Sequence, residues 1–544
     1  MGARTSTLTR IATSVTLILA ATLAGASPAR GTESAGSAIP LDVATIWTMA
    51  HTPDNSRVFL AAGDDGLFVV DAGATALRHV DGIGRAMGVE MGADGRTVWV
   101  GLPRDRQIAA VDTTTLTVRA RYDVGSDLCP GDVAQTGPYV AFSFSFSCIL
   151  YNDESTPPPS GVGVLDTRTG VVLRAPGDPW KAIVAASSAV PGRVFVTQYL
   201  MHEVTLDLLD LRSGSHELTH YRKLGMADPT DLAVSPDGSL VAVSGAEHAT
   251  VATFATSDLS PSTSYQAPCP TRAVAWSADS SKLAASCNLP DTKLLLYDRG
   301  NSDPVATARL ELGPRRAPDY RDLVLDSDAG RAIVASRAEE EGPMHYVDRV
   351  GLRPAAATVT GPATATCTRT ASFTAKLLLG GAPAPAGTPL SIYREQPYNS
   401  TLLGTYPTDS TGTVTFTDAP PSSGTWSYRA HFAGNENYTW TDGAYSLQVD
   451  KLPTSLSVTY QTGKTRHHTN YGSVVVTLGP TVGHRSVTVT ATTAAGTVPV
   501  TSASVPTDGP LVVSYPITGP TTFTATYEGS IWQQAANAIT TASP

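Results

Sequence analysis

One unit recurs along roughly the first two thirds of the chain, and no other feature narrows the fold as much. It is an alternating apolar strand, a turn rich in Asp, Gly, Pro or Ser, a second strand, a variable loop, and a third strand ending in Asp. The plainest copy is DLAVSPDGSLVAVSGAEHATVATFA at 231 to 255, and TMAHTPDNSRVFLAAGDDGLFVVD at 48 to 71 and GVEMGADGRTVWVGLPRDRQIAAVD at 88 to 112 are related. Four more copies cover 132 to 166, 182 to 210, 273 to 298 and 322 to 348. The strand-ending acids Asp71, Asp112, Asp166, Asp210, Asp298 and Asp348 stand 41, 54, 44, 88 and 50 residues apart. The 88 spans two units because the fifth copy carries Ala255 at that place.

A period of about 40 to 50 residues with four short strands per unit predicts a β-propeller in which each unit is one radial blade. Seven copies predict seven blades. The last copy stops after its third strand, while Leu41 to Ile46 precedes the first copy with no blade of its own. That segment is expected to supply the missing outer strand and close the ring, leaving no terminal sheet edge unpaired. The hairpin VSPDGSLVAVS and the strand ends VVD, VLD and LYD make residues 41–352 resemble the WD40-like and YVTN-type seven-bladed propellers of exported bacterial proteins. The chain lacks a Trp-Asp dipeptide and so departs from strict WD40 repeats. The resemblance implies architecture rather than one activity, since such propellers include scaffolds, sugar and peptide binders, and lactonases.

The cysteines fit this register. Cys129 and Cys148 flank the turn Thr136-Gly137-Pro138, and Cys269 and Cys287 flank Ser277-Ala278-Asp279 in the same way. In an antiparallel hairpin the residue entering the first strand faces the residue leaving the second, so disulfides Cys129–Cys148 and Cys269–Cys287 are predicted. Cys367 is left over, either buried or an intermolecular thiol.

After Leu352 the texture turns to Thr, Ser, Pro, Val and Gly, with the run 353–357 as the boundary. Two units follow, at 357–452 and 453–544. WSYRAHFAGNENY and TTFTATYEGSIWQ are their matching segments, with Gly434 and Gly529 separated by 95 residues. Alternating strands with Gly/Pro turns at this length predict two tandem β-sandwiches. The first, through TVTGPATATCTRTASFTAKL, TDSTGTVTFTDAPP and YRAHFAGNENYT, resembles the bacterial Ig-like repeats of actinobacterial secreted proteins, which are usually spacers or adhesive units. The second matches well only in its final strand pair. The expected fold class is thus all-β, a seven-bladed β-propeller plus two tandem Ig-like β-sandwiches.

Arg4 and Arg10, the apolar run Ile11 to Ala24 and the small residues Ala24-Gly25-Ala26 read as a signal peptide, 1–26, with a linker over 27–40. A stretch of fourteen residues, broken by Thr and Ser, falls short of the roughly 20 a membrane span needs, so no transmembrane anchor is expected. The chain should be secreted, either free or associated with the cell wall. A balance of 38 Lys and Arg against 48 Asp and Glu, net −10, argues against nucleic acid as a partner. Only seven of those bases are Lys, a compositional hint of a GC-rich bacterial genome.

His216-Glu217-Leu218-Thr219-His220 matches the HExxH zinc-protease pattern literally. That chemistry needs a helix, and these residues follow a turn on the fourth strand of a blade, where His residues four apart lie about 13 Å from each other. Glu247 is poorly spaced as a further ligand. No metal or cofactor is expected. No GxSxG elbow occurs, Gly463-Lys464-Thr465 has Val458 where a phosphate loop needs Gly, and Arg466-His467-His468 reads as a solvated loop, with a surface anion or metal site as its alternative. What remains is the funnel formed by loops that join blades and loops between second and third strands. The register places there Arg85, Arg104, Asp105, Arg106, Asp127, Trp180, Lys181, Tyr199, His202, Glu203, Glu247, His248, Arg315, Arg316, Tyr320, Arg337 and Glu339. The insertion from Tyr151 through Pro157-Pro158-Pro159 sits on the same rim. The plain alternative is a set of solvated loop tips. The functional expectation is a secreted, non-enzymatic binding protein whose propeller presents a polar face to an extracellular glycan, peptide or cell-wall component. Its rivals are a lactonase-like hydrolase using His202, Glu203, Glu247, His248 and Arg337, and a structural surface-layer component.

Overall fold

Each sequence repeat becomes one antiparallel four-stranded sheet in the computed structural model. The structure describes residues 39–544 except 55, 72–76, 146–147, 149–159, 176–180, 200, 202–203, 213–216, 226–227, 288–292, 310–315, 327, 339–344 and 467–468. The export signal, most of the linker and most of the third-blade insertion therefore lie outside the described residues. Blade 5 shows the pattern: Pro229–Val234, Leu240–Gly245, Thr250–Ala255 and Pro261–Gln266 pair in chain order. The first strand of every blade packs on the first strand of the next, and that of blade 7, Arg316–Leu325, packs on that of blade 1, Thr48–His51. The seven sheets thus form a closed wheel whose first strands surround a central channel.

The turn between first and second strands is the same device in four blades. A side-chain oxygen accepts the backbone N–H five residues on: Thr52 from Arg57, Ser235 from Leu240, Ser277 from Lys282 and Asp326 from Arg331, at 2.9–3.0 Å. Polar residues that bond their own backbone locally fix such turns, which is why the repeats keep them before the Asp-Gly type tips.

Closure is by a strand from the chain's beginning, as the missing fourth strand requires, but it lies earlier than expected. Ile39–Leu41 pairs antiparallel with His345–Gly351, whereas Asp42 to Ile46 runs on irregularly. Pro40 hid this strand in the sequence, yet its lack of an N–H is harmless on an outer edge. Its neighbours Ile39 and Leu41 point inward and pack with Val58, Leu60 and Val70 of blade 1 and Val324, Ala335 and Val347 of blade 7.

Asp348 departs from the expected register. The third strand of blade 7 continues to Gly351, which faces Arg331 as Ala255 faces Leu240. Asp348 lies three residues earlier, buried, and accepts a 2.7 Å hydrogen bond from Ser336. Gly351 is there because the next domain presses on it: a Cβ would sit 2.0 Å from the Tyr438 nitrogen.

Beyond Gly351 each C-terminal unit is a pair of sheets around its own core. In the first, Ala355–Thr360, Ala371–Leu379, Ala382–Pro383 and Thr413–Asp418 form one sheet, facing Thr364–Thr366, Pro389–Gln396, Asn399–Pro407, Gly424–Phe432 and Thr441–Asp450. Phe373, Phe416 and Tyr428 stack at its centre, and Cys367 is buried beside them. In the second, Ser455–Arg466, Thr469–Gly479 and Leu511–Ile517 face Ser486–Thr493, Gly496–Ser504, Thr521–Tyr527 and Ala536–Ala542, with Tyr460 stacked on Phe523.

Removing the Leu41 side chain tests the closure. Leu41→Ala is expected to cost about 2–5 kcal/mol, read as a lower urea midpoint with faster hydrogen exchange in His345–Gly351. An unchanged exchange rate there would show that the ring is held without this strand.

Candidate functional site

The two ends of the wheel differ. At one end lie the tight first turns; at the other lie the inter-blade loops and those between second and third strands, and both disulfides are at this second end. Cys129 and Cys148 have Cα atoms 5.3 Å apart and Cys269 and Cys287 5.6 Å apart, as the hairpin register predicts. Cys129 opens the first strand of blade 3 opposite Ser145, and Cys148 follows three residues beyond that pair. Arg85, between blades 1 and 2, donates to Asp64 at 2.8 Å and to the Cys148 carbonyl at 3.1 Å. It therefore clamps the second–third strand loop of blade 1 to the disulfide of blade 3, and the Arg85 bond holds the Asp64 carboxyl below the usual range. Asp127 is held by Arg174 in the same way.

The other expected funnel residues are more dispersed. Arg104, Asp105 and Arg106 form an exposed turn in blade 2, where Arg106 has φ of +54°. Lys181 has φ of +47° and its N–H donates to Ser160. Tyr199 is half-buried, and its N–H donates to the Lys181 carbonyl at 2.8 Å. Glu247 is exposed and His248 half-buried in the turn before Thr250, while exposed Arg337 is on the second strand of blade 7. Arg316 and Tyr320 are on the first strand of blade 7. Arg315, Trp180, His202, Glu203 and Glu339 lie outside the described residues. Glu217–Lys223 is the fourth strand of blade 4, so the HELTH segment runs through a strand as expected, with His216 outside the described residues. Among the described residues no three His, Cys, Asp or Glu groups gather as metal ligands.

A charged group that the sequence reading passed over sits inside the channel. The first strand of blade 7 is ten residues long where its counterparts in blades 2, 4, 5 and 6 have four to six, and its register shifts between Pro318 and Leu323. This bulge carries Arg321 at φ of +63°, a conformation L-residues avoid. Arg321 reaches Asp132 of blade 3 at 2.7 Å and Asp231 of blade 5 at 3.5 Å. Burial works against the cation, but the two carboxylates outweigh it and raise the Arg321 pKa. Burial raises the Asp231 pKa, opposed by Arg321 and by the Val274 and Leu232 N–H groups.

Asp132 and Asp231 also staple neighbouring blades. Asp132 accepts the Val184 N–H, Asp231 the Val274 N–H, and Thr48 at the same repeat position the Val89 N–H, all at 2.9 Å. Glu90, one residue further along its strand, faces the channel. Burial, with Asp132 nearby, pushes its carboxyl up to about 8, against the pull of Arg321. The visible signal was an acid in an otherwise apolar first strand: GVEM, GDVA and TDLA.

Two measurements test the channel. Arg321→Met leaves Asp132 and Asp231 without their cation and is expected to cost about 3–5 kcal/mol; adding Asp132→Asn and Asp231→Asn should recover most of the loss in a urea titration. No recovery would place the cost in the bulge rather than the charges. Separately, Glu90 binds its proton more tightly folded than unfolded, so it subtracts stability as pH rises from its ordinary value toward about 8. Glu90→Gln should flatten that decline, and an unaltered pH profile would contradict the burial of this carboxyl.

No protein-family model matches the chain, and neither does any curated protein. A search of solved structures returns propeller-containing matches at low identity. One is a chain of a structure described as the mitotic checkpoint complex, 13% identical, covering 64% of this chain and 100% of that one, with a TM-score of 0.45. Another is the β-propeller domain of Cps50 (Swd1) from Myceliophteria thermophila, 12% identical, covering 57% of this chain and 97% of that one, with a TM-score of 0.43.

Proposed function

We propose that this chain is a secreted, non-enzymatic binding protein that presents the loop end of its propeller to an extracellular glycan, peptide or cell-wall component. The observation that carries the reading is where the cross-links fall. Both disulfides and the Arg85 clamp pin loops at one end of the wheel, which lowers the ordering cost of meeting a partner there. Two disulfides also suit an oxidising compartment, in line with the export signal read at 1–26. With Arg85 and Asp127 held in ion pairs, the rim supplies shape and charge more readily than a proton-transfer group. The two C-terminal units, read as Ig-like modules, serve as spacer or adhesive elements.

The test is a glycan, peptide and peptidoglycan-fragment array probed with residues 27–544. Micromolar binding is expected, weakened at least tenfold by Arg104→Ala with Arg106→Ala or by Trp180→Ala, and weakened also by Cys129→Ser with Cys148→Ser. Absence of binding across the array would remove the reading and favour a structural surface-layer role.

A further inference from the structure

The wheel encloses a cavity of about 250 Å³ lined by the first strands of all seven blades. Among the described residues its titratable lining groups are His51, Glu90, Asp132, Asp231 and Arg321, three acids against one guanidinium. Arg321 is already turned to Asp132 and Asp231, and both of those also accept a backbone N–H. The His51 Nδ1 lies 3.0 Å from the Thr52 carbonyl oxygen. Glu90 differs: it is deep in the wheel yet keeps surface on the cavity, and among the described residues no donor reaches its carboxyl. Met49, Val184, Leu232 and Trp276 add apolar side chains to the lining.

We propose that the channel cavity binds a small organic ammonium compound, its cationic head on Glu90 beside Asp132 and its aliphatic body against Met49, Leu232 and Trp276. The charge balance among the described residues argues against an anion, because Arg321 is committed to two carboxylates. A bare metal ion fits poorly, since Arg321 separates the acids and the cavity is many times an ion's volume. The cation stabilises the ionised carboxylate, so binding near neutral pH releases the Glu90 proton to the buffer. This site is separate from the loop face and stands whether or not that face binds a partner.

The experiment is titration calorimetry on residues 27–544 at pH 7, in two buffers of different ionisation enthalpy, with butylammonium chloride, 1-pentanol and calcium chloride as probes after overnight equilibration. Saturable binding of butylammonium with proton release is expected, with the alcohol at least tenfold weaker. Glu90→Gln, which mimics the protonated acid, should weaken binding at least tenfold and abolish the proton release. In the unaltered protein, affinity should rise between pH 6 and 9 as Glu90 ionises, a readout that does not depend on the variant folding. The proposal is overturned if butylammonium does not bind, if the alcohol binds equally well, if calcium alone occupies the site, or if affinity is indifferent to both pH and Glu90→Gln.

Discussion

The wheel depends on one short pairing, Ile39–Leu41 against His345–Gly351. Seven sheets arranged radially have two ends where an incomplete blade would expose an unpaired edge and an apolar face. Bringing the chain's beginning onto its seventh blade removes both at once, because Ile39 and Leu41 fill a cluster shared by blades 1 and 7. Arg349 adds a polar tie across the same seam, donating to the Asp71 carbonyl of blade 1 at 3.1 Å. Every other blade boundary is covalently continuous; this one rests on non-covalent contacts between residues some 300 apart in sequence.

Ring closure alone would leave a channel, and the charged strut explains how the interior tolerates one. Asp132 and Asp231 join their own blades to the next through backbone N–H groups, and Arg321 links those two stapled pairs to the closing blade. Such a buried group is costly unless every charge is paired, and here the pairing needs a bulged backbone with Arg321 in a left-handed conformation. Strain tolerated at one residue is thus offset by contacts reaching three blades. Glu90 stands outside that arrangement, and its raised pKa reflects burial without a partner.

The repeat made the architecture legible because its period, its turn residues and its cysteines all record the same register. Two disulfides followed from hairpin geometry alone, and the seven four-stranded sheets from counting copies. Where the sequence reading slipped, a local break in the repeat was responsible. Pro40 disguised a three-residue edge strand. Asp348 imitated a strand-ending acid although its strand ran three residues further to meet Asn435 and Tyr438. Arg321 lay in a stretch, PDYRDLVL, whose extra residues belong to a bulge, so counting along the repeat stopped at Tyr320 and assigned it to the rim. Pattern reading finds what is repeated; the channel is built from what is not.

The joints between domains bear on which face can meet a partner. The strand entering the first C-terminal unit is gripped by that unit's own loop: the Thr439 N–H donates to the Arg353 carbonyl at 2.9 Å and the Gly351 N–H to Asn435 at 3.1 Å. The second unit repeats the device 95 residues on, with Leu452 exchanging backbone bonds with Trp532 and Gln534 at 2.7 and 3.0 Å. Gly434 and Gly529 share a φ of +85° that lets both loops turn back. On the propeller side, Gly351 faces Arg331, and Arg353 pairs with Asp328 in the first turn of blade 7 at 2.6 Å. The attachment is therefore at the turn end of the wheel. The loop end, where both disulfides and the Arg85 clamp lie, is opposite to it, so the cross-linked end of the propeller is the end the attached domain does not grip.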